Sequence, residues 1–395
     1  MRKTGHIRER SPGSFELRYD LGTDLATGRR KTVTTTVRGS RKDAERELRR
    51  LLHAVDTGQH VDPNRLTVRD WLCRWLDIIR PELAPRTYGR YAEIVRDQLL
   101  PALGNIPLAK LAPAQIQDFH SKLATGERRD GKEGGLSSGS RRLVHAVLRI
   151  SLNRAVELQH LFKNPCDALR RRLPKAEKHE MVTLSPDQAT ALLQASRDRP
   201  SVYISIFIAL MTGARRGEAC ALRWRNVDLD RGVIRVAESL EQTKGGTLRF
   251  KAPKNGKSRA ITLPTSAIAE LRQLKRDQAE RLLRVGIRQD GATLLCAQDD
   301  GRALAPDVLT AAFTRLVRSL GDGFPRVHFH SLRHSHATQL LLAGVHPRVA
   351  QERLGHATAA MTLDIYSHVT SAMQEDAAAK IDAIFRIGSK SGSNG

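Results

Sequence analysis

His330-Ser331-Leu332-Arg333, together with the earlier stretch Thr212-Gly213-Ala214-Arg215-Arg216-Gly217-Glu218, decides how this chain is read. The first places an imidazole and a guanidinium three positions apart, on one face if the segment is helical. The second puts two arginines shortly after Gly213, just past the apolar run 203–211. Lys254 stands beside Asn255-Gly256, Gly355-His356 follows Leu354, and Tyr366 lies ten positions beyond that histidine. These groups make a working set for attack on a phosphodiester. Two arginines can clamp the non-bridging oxygens and stabilise the added charge of a pentacoordinate transition state. Histidines and a lysine can move protons, and a tyrosine can be the nucleophile. Ionising a phenol of pKa about 10 at pH 7 costs about 4 kcal/mol, which neighbouring arginines and a base offset. A phosphotyrosine ester keeps the energy of the broken bond, so resealing needs no ATP.

Composition agrees with a polyanionic partner. The 395 residues carry 66 Lys+Arg against 42 Asp+Glu, a formal charge of +24, and the excess is spread along the chain. Spread basicity on this scale favours nucleic acid. The first twelve residues are polar and basic, unlike a secretory signal. The run 203–211 is about half a membrane span and reads as a buried helix. Four cysteines, Cys73, Cys166, Cys220 and Cys296, contain no CxxC pair. That argues against a zinc module or a disulfide scaffold and fits a reducing compartment. A cytoplasmic, nucleoid-associated protein without membrane contact is expected.

Length predicts two or three domains. Residues 14–21 and 31–37 read as β-strands joined by a turn over 22–28, and Ser40 opens a helix with Asp43 in capping-box position. This small α+β domain, residues 1–60, would be an accessory DNA-binding domain. Helices over 87–103, 113–123 and 140–161, and one capped by Thr67 with Trp71 and Trp75 on its stripe, make an all-α domain at 65–170. The Gly/Ser-rich stretch 125–139 reads as a mobile loop, 56–64 and 171–180 as linkers. A third domain, 181–386, mixes helices with a few strands. Residues 233–236 form one strand and 247–263 a strand region turning at Asn255-Gly256, a hairpin beside which Lys254 sits. Residues 373–385 form an amphipathic end, and 387–395 a flexible tail.

Each motif alone is weak, but their ordered combination resembles the tyrosine recombinase (phage integrase) family. The segment 212–218 with Leu222-Arg223-Trp224 is similar to that family's first box, and His330 to Arg333 with His334 to its HxxR box. Leu354-Gly355-His356 and Ile365-Tyr366-Ser367-His368-Val369 are similar to its closing boxes. The resemblance implies that Arg215 and Arg333 are the catalytic arginines and Tyr366 the nucleophile. It makes His330 and His356 aids to proton transfer and phosphate binding, and Glu218 a supporting residue that orders the first box. Lys254 becomes the lysine that protonates the leaving 5′-oxygen, with Lys251 and Lys257 as open alternatives. It also implies an arm-site-binding domain, a core-binding domain and a catalytic domain in that order. Four protomers would act on two double-stranded attachment sites, with a directionality factor or DNA-bending protein as further partners and no cofactor. A chromosome- or plasmid-dimer resolvase and a non-catalytic DNA-binding regulator are the alternatives.

Other motifs fail. Gly135-Leu136-Ser137-Ser138-Gly139 fits GxSxG but lies in a flexible polar stretch. Gly256-Lys257-Ser258 ends like a P-loop, yet Lys251 stands where the opening glycine is required. His330 and His334 are spaced like zinc ligands without the following Glu, so no metal is expected. His334 and His336 read as packed or capping histidines.

Overall fold

A computed structural model describes residues 5–23, 30–56, 66–126, 133–169, 181–243, 245–253, 256, 258–355, 358, 378–379, 381–382 and 385. The chain divides into two compact units, Met1–Lys178 and His179–Gly395.

The first unit begins with an antiparallel sheet of β1 (Gly5–Ser11), β2 (Ser14–Thr23) and β3 (Arg30–Arg38), in that spatial order. Alternation along β2 turns Phe15, Leu17 and Tyr19 toward Ala44, Leu48 and Val55 of α1 (Arg41–Asp56). The reading of two strands is corrected to three. β1 carries one apolar inward residue, Ile7, and is held by its ladder to β2 rather than by hydrophobic alternation. Ser40 caps α1 as expected: its amide donates to Asp43 Oδ2 at 3.0 Å, and the Asp43 amide donates to Ser40 Oγ at 3.3 Å.

The helical part of this unit comprises α2 (Val68–Ile79), α3 (Pro85–Ile94), α4 (Leu100–Leu103), α5 (Pro113–Thr125) and α6 (Ser138–Glu157). A π-helical turn, Val95–Leu99, joins α3 to α4. Pro101 follows two residues after its end, and the missing proline amide cannot bond back along an α-helix. Thr67 and Asp70 form a capping box at α2. Trp71 and Trp75 are fully buried among Leu99, Ile116, Leu148 and Leu152, and Trp71 Nε1 donates to the Ser151 carbonyl at 3.1 Å. The expected mobile loop is shorter than read: Thr125 ends α5 and Ser138 already belongs to α6, because the Ser137 side chain caps that helix. Both expected linkers, apart from Asp56, lie outside the described residues.

The second unit contains α7 (Pro186–Ala195), α8 (Pro200–Thr212), α9 (Arg216–Ala221), β4 (Val227–Asp228), β5 (Val233–Val236), β6 (Ser239–Gln242), β7 (Leu248–Lys251) and β8 (Arg259–Thr262). It continues with α10 (Thr265–Arg284), α11 (Pro306–Ser319), α12 (Phe329–Leu342) and α13 (Pro347–Leu354). α8, buried on nearly every side, is the axis around which two apolar clusters pack. One sheet runs β4-β5-β8 and a two-stranded ribbon pairs β6 with β7. The expected hairpin across Asn255-Gly256 is therefore not a hairpin. β8 pairs with β5, where Ile261 meets Ile234 in the core, while β7 pairs with β6. Among the described residues no helix is long and apolar enough to cross a membrane. The amphipathic end 373–385 is described only at five helical positions, of which Ile381 and Phe385 are 52% and 62% exposed. The tail 387–395 lies outside the described residues.

Candidate active site

α8 ends at Gly213, whose backbone is left-handed with φ 67°. A Cβ there would sit 2.5 Å from Leu354 Cδ2 and 2.9 Å from His336 Cδ2, so only glycine fits both the turn and the packing. The turn places Arg215 as the residue before α9. Its amide donates to Glu218 Oε2 at 2.9 Å, and its guanidinium donates to Glu218 Oε1 at 2.9 Å and to the Gly355 carbonyl at 3.3 Å. The adjacent Arg216 points elsewhere, to Thr310 and Asp307 of α11. Tertiary contacts thus separate two arginines that are equivalent in sequence.

Arg333, on α12, is buried. Its Nη1 donates to the Gly213 carbonyl and its Nη2 to the Leu354 carbonyl, both at 2.6 Å. Burial, then the positive charges of Arg215 and Arg259, pushes its pKa down to about 9, and it remains a cation at neutral pH. Of the five N–H groups on each guanidinium, these bonds engage two on Arg215 and two on Arg333. His330 lies one helical turn before His334, with ring centroids 4.8 Å apart and edge-on. Desolvation by its surroundings, then His334 and the cations Arg333 and Arg215, pushes His330 down to about 4 although the residue is exposed, so it is neutral at pH 7.

Glu218 binds Arg215 and a second guanidinium, that of Arg259 at the head of β8. Arg259 Nη2 donates to Oε2 at 2.7 Å, Nη1 to Oε1 at 3.2 Å, and Nε to the Arg353 carbonyl at 3.0 Å. Burial alone would raise the Glu218 pKa. Hydrogen bonds and charge from Arg259, with those from Arg215, outweigh it and hold the carboxyl below its ordinary value. Arg353, in α13, donates to the carbonyls of Met211 and Thr262 at 3.0 and 2.8 Å and to His336 Nε2 at 3.2 Å. His336 Nδ1 faces the Leu210 carbonyl at 2.7 Å, which fixes the tautomer and makes this histidine the packed residue expected.

Four of the expected residues, Arg215, Glu218, His330 and Arg333, are therefore brought together. Lys254, His356 and Tyr366 lie outside the described residues, although Gly355, one position before His356, is held against Arg215. The alternative Lys251 places its ammonium 2.6 Å from Glu241 Oε1, a carboxylate 7% exposed; Lys257 is not described. Arg259 and Arg353 were missed by the sequence reading. One signal was available: alternation puts Arg259 on the same face of β8 as the buried Ile261, and an inward charge requires a buried partner.

The model of the phage integrase family matches residues 182–373, and that of the phage integrase N-terminal SAM-like domain matches residues 67–124. A tyrosine recombinase XerC of Xanthomonas campestris pv. campestris is 30% identical over 273 residues, covering 68% of this chain and 73% of the relative. The ICEBs1 integrase of Bacillus subtilis is 23% identical over 377 residues, covering 95% of this chain and 99% of the relative. Among solved structures, the Tn1549 transposon integrase in complex with transposon right end DNA superposes with a TM-score of 0.67 at 21% identity. That match covers 80% of this chain and 99% of the other.

Proposed function

The chain belongs to the tyrosine recombinase (phage integrase) family and is a site-specific DNA recombinase, a premise from which we propose that it is the integrase of a phage or integrative mobile element, with Tyr366 as nucleophile. The observation that carries the site assignment is the convergence of Arg215 and Arg333. Each is fixed by backbone carbonyls and retains N–H donors for a phosphate.

In this reading the phenolic oxygen of Tyr366 attacks the scissile phosphorus while Arg215 and Arg333 hold the non-bridging oxygens. Neutral His330, with His356, takes up the phenol proton. The bond to the 5′-oxygen breaks, Lys254 protonates that oxygen, and a 3′-phosphotyrosyl link and a free 5′-hydroxyl result. Lys251 is less suited, because its removal would leave the buried Glu241 carboxylate without its cation. The 5′-hydroxyl of the partner duplex then attacks the phosphotyrosine and releases the tyrosine. One round makes a Holliday junction and a second resolves it, so two duplexes call for four protomers. Exposed Ile381 and Phe385, one turn apart near the C-terminus, suit docking on a neighbouring protomer.

The amino-terminal sheet supports an arm-site role. Its outer face aligns His6, Arg18 and Thr34 across the strands, with Arg8, Thr36 and Arg38 nearby, all exposed. This is a basic, hydrogen-bonding surface suited to duplex DNA. The similarity to XerC is the specific observation favouring a dimer resolvase as the second reading.

The test incubates the chain with nicked suicide duplexes spanning the junctions of the element that carries its gene, followed by a denaturing gel. A covalent protein–DNA band that disappears in Tyr366→Phe is expected. Site-specific binding without a covalent band would instead make the protein a non-catalytic regulator. Deleting residues before Leu66 discriminates the two enzymatic readings: an integrase loses distal arm sites and keeps core-site cleavage.

A further inference from the structure

We propose that Arg259 is a positioning residue that keeps the Arg215 guanidinium available to DNA phosphate by neutralising Glu218. The inference rests on Arg215 being a phosphate clamp, and it concerns why a buried carboxylate beside that clamp does not disable it.

Glu218 is 3% exposed and holds both the backbone amide and the guanidinium of Arg215. That grip orients the arginine, but a pair made of these two residues alone has no net charge. A phosphate arriving there would meet an arginine already satisfied by a carboxylate and would be repelled by that carboxylate. Arg259 changes the balance. It takes both carboxylate oxygens in a fork, at 2.7 and 3.2 Å, and leaves the trio with one net positive charge. Arg333, buried nearby, brings the site to two.

Arg259 is built to do this without touching DNA itself. Its side chain is 10% exposed, and its three nitrogens point at Glu218 and at the Arg353 carbonyl. It also stands where the active-site pieces meet. It opens β8, directly after the connection that contains Lys254, and its Cδ lies 3.1 Å from where a Cβ on Gly355 would be. A lysine could supply the charge there but not the planar fork.

The test compares wild type, Arg259→Gln, Arg259→Lys and the double variant Glu218→Gln/Arg259→Gln, all as full chains. Single-turnover covalent complex formation is followed on the nicked duplex and on the same duplex with an uncharged methylphosphonate at the scissile position. Calorimetric melts verify folding. Arg259→Gln is expected to bind the duplex like wild type and to cleave about 100-fold more slowly, the size of effect seen when one preorganised electrostatic donor is lost. On the uncharged linkage the deficit should fall below about tenfold, because no negative phosphate then needs the missing charge. The double variant restores the net charge and should recover at least about tenfold over Arg259→Gln, a non-additivity that an independent structural role would not give. If Arg259→Gln melts below the assay temperature, Arg259→Lys carries the test: it keeps the charge that offsets Glu218 and should cleave the phosphodiester within about tenfold of wild type, whereas a loss as large as about 100-fold would overturn the proposal. An equal deficit on both linkages without recovery in the double variant would overturn the proposal, as would wild-type cleavage by Arg259→Gln. Absence of a covalent product from wild type would overturn the assignment of the site, and this inference with it.

Discussion

Replacing Gly213 by alanine tests whether the end of α8 is fitted to α12 and α13 as closely as the distances imply. Two costs arise. The left-handed φ of 67° disfavours a side chain by about 1 kcal/mol. The new Cβ would also lie 2.5 Å from Leu354 Cδ2 and 2.9 Å from His336 Cδ2, contacts that force buried side chains to move and cost about 2 kcal/mol. The sum, about 3 kcal/mol, should lower the melting temperature of a catalytic unit this size by about 6–12 °C. The damage should also reach chemistry, since the Gly213 and Leu354 carbonyls are the two acceptors that hold Arg333. Calorimetry of the full chain, alongside the covalent-complex assay, reads both effects. Gly344→Ala is the control: its φ is 73°, but nothing lies within 4 Å of the added Cβ, so it carries only the conformational cost, about 1 kcal/mol. If Gly213→Ala melts no lower than Gly344→Ala, the close-packing argument is wrong.

Other outcomes follow from the same geometry. Arg353→Leu removes the donor to the half-buried Met211 carbonyl and to that of Thr262 and should destabilise the catalytic unit by about 1–2 kcal/mol in urea unfolding. His336 is depressed to about 4 by burial and then by Arg353, against 6.5 when unfolded. Its contribution is therefore complete above pH 6.5 and is lost as pH falls from 6.5 toward 4, a slope that His336→Gln should flatten in melts across that range. Glu218 is also held below its ordinary value, so its contribution is present above pH 4.5 and disappears only at more acid pH; Glu218→Gln should remove that further loss. In the amino-terminal unit, Thr67→Ala removes the acceptor for the Asp70 amide and should cost about 1 kcal/mol by thermal melting without altering the rate of the cleavage step.

The sequence by itself determined most of the helices and singled out the groups proposed to react. Helical periodicity marked α2 and its tryptophans, because burying them on one stripe is a local requirement that any tertiary arrangement must satisfy. Ser40, Thr67 and Ser185 announced helix starts, since a cap needs only residues three apart. The order of motifs that carry arginines, histidines and tyrosine was legible for a similar reason: the chemistry dictates residue type. What the tertiary structure alone decided is how those groups are held. β7 and β8 look like one hairpin in sequence, yet each pairs with a different strand, because Ile261 gains more by joining Ile234 in the core than by facing β7 across a turn. Arg215 and Arg216 are neighbours of the same type, and only the positions of Glu218, Gly355, Thr310 and Asp307 give them different partners. Arg259 is 41 residues from Glu218, and its fork onto that carboxylate exists because β8 and α9 are folded together. Buried charges are satisfied through space, and sequence separation carries no information about which charge will supply the partner.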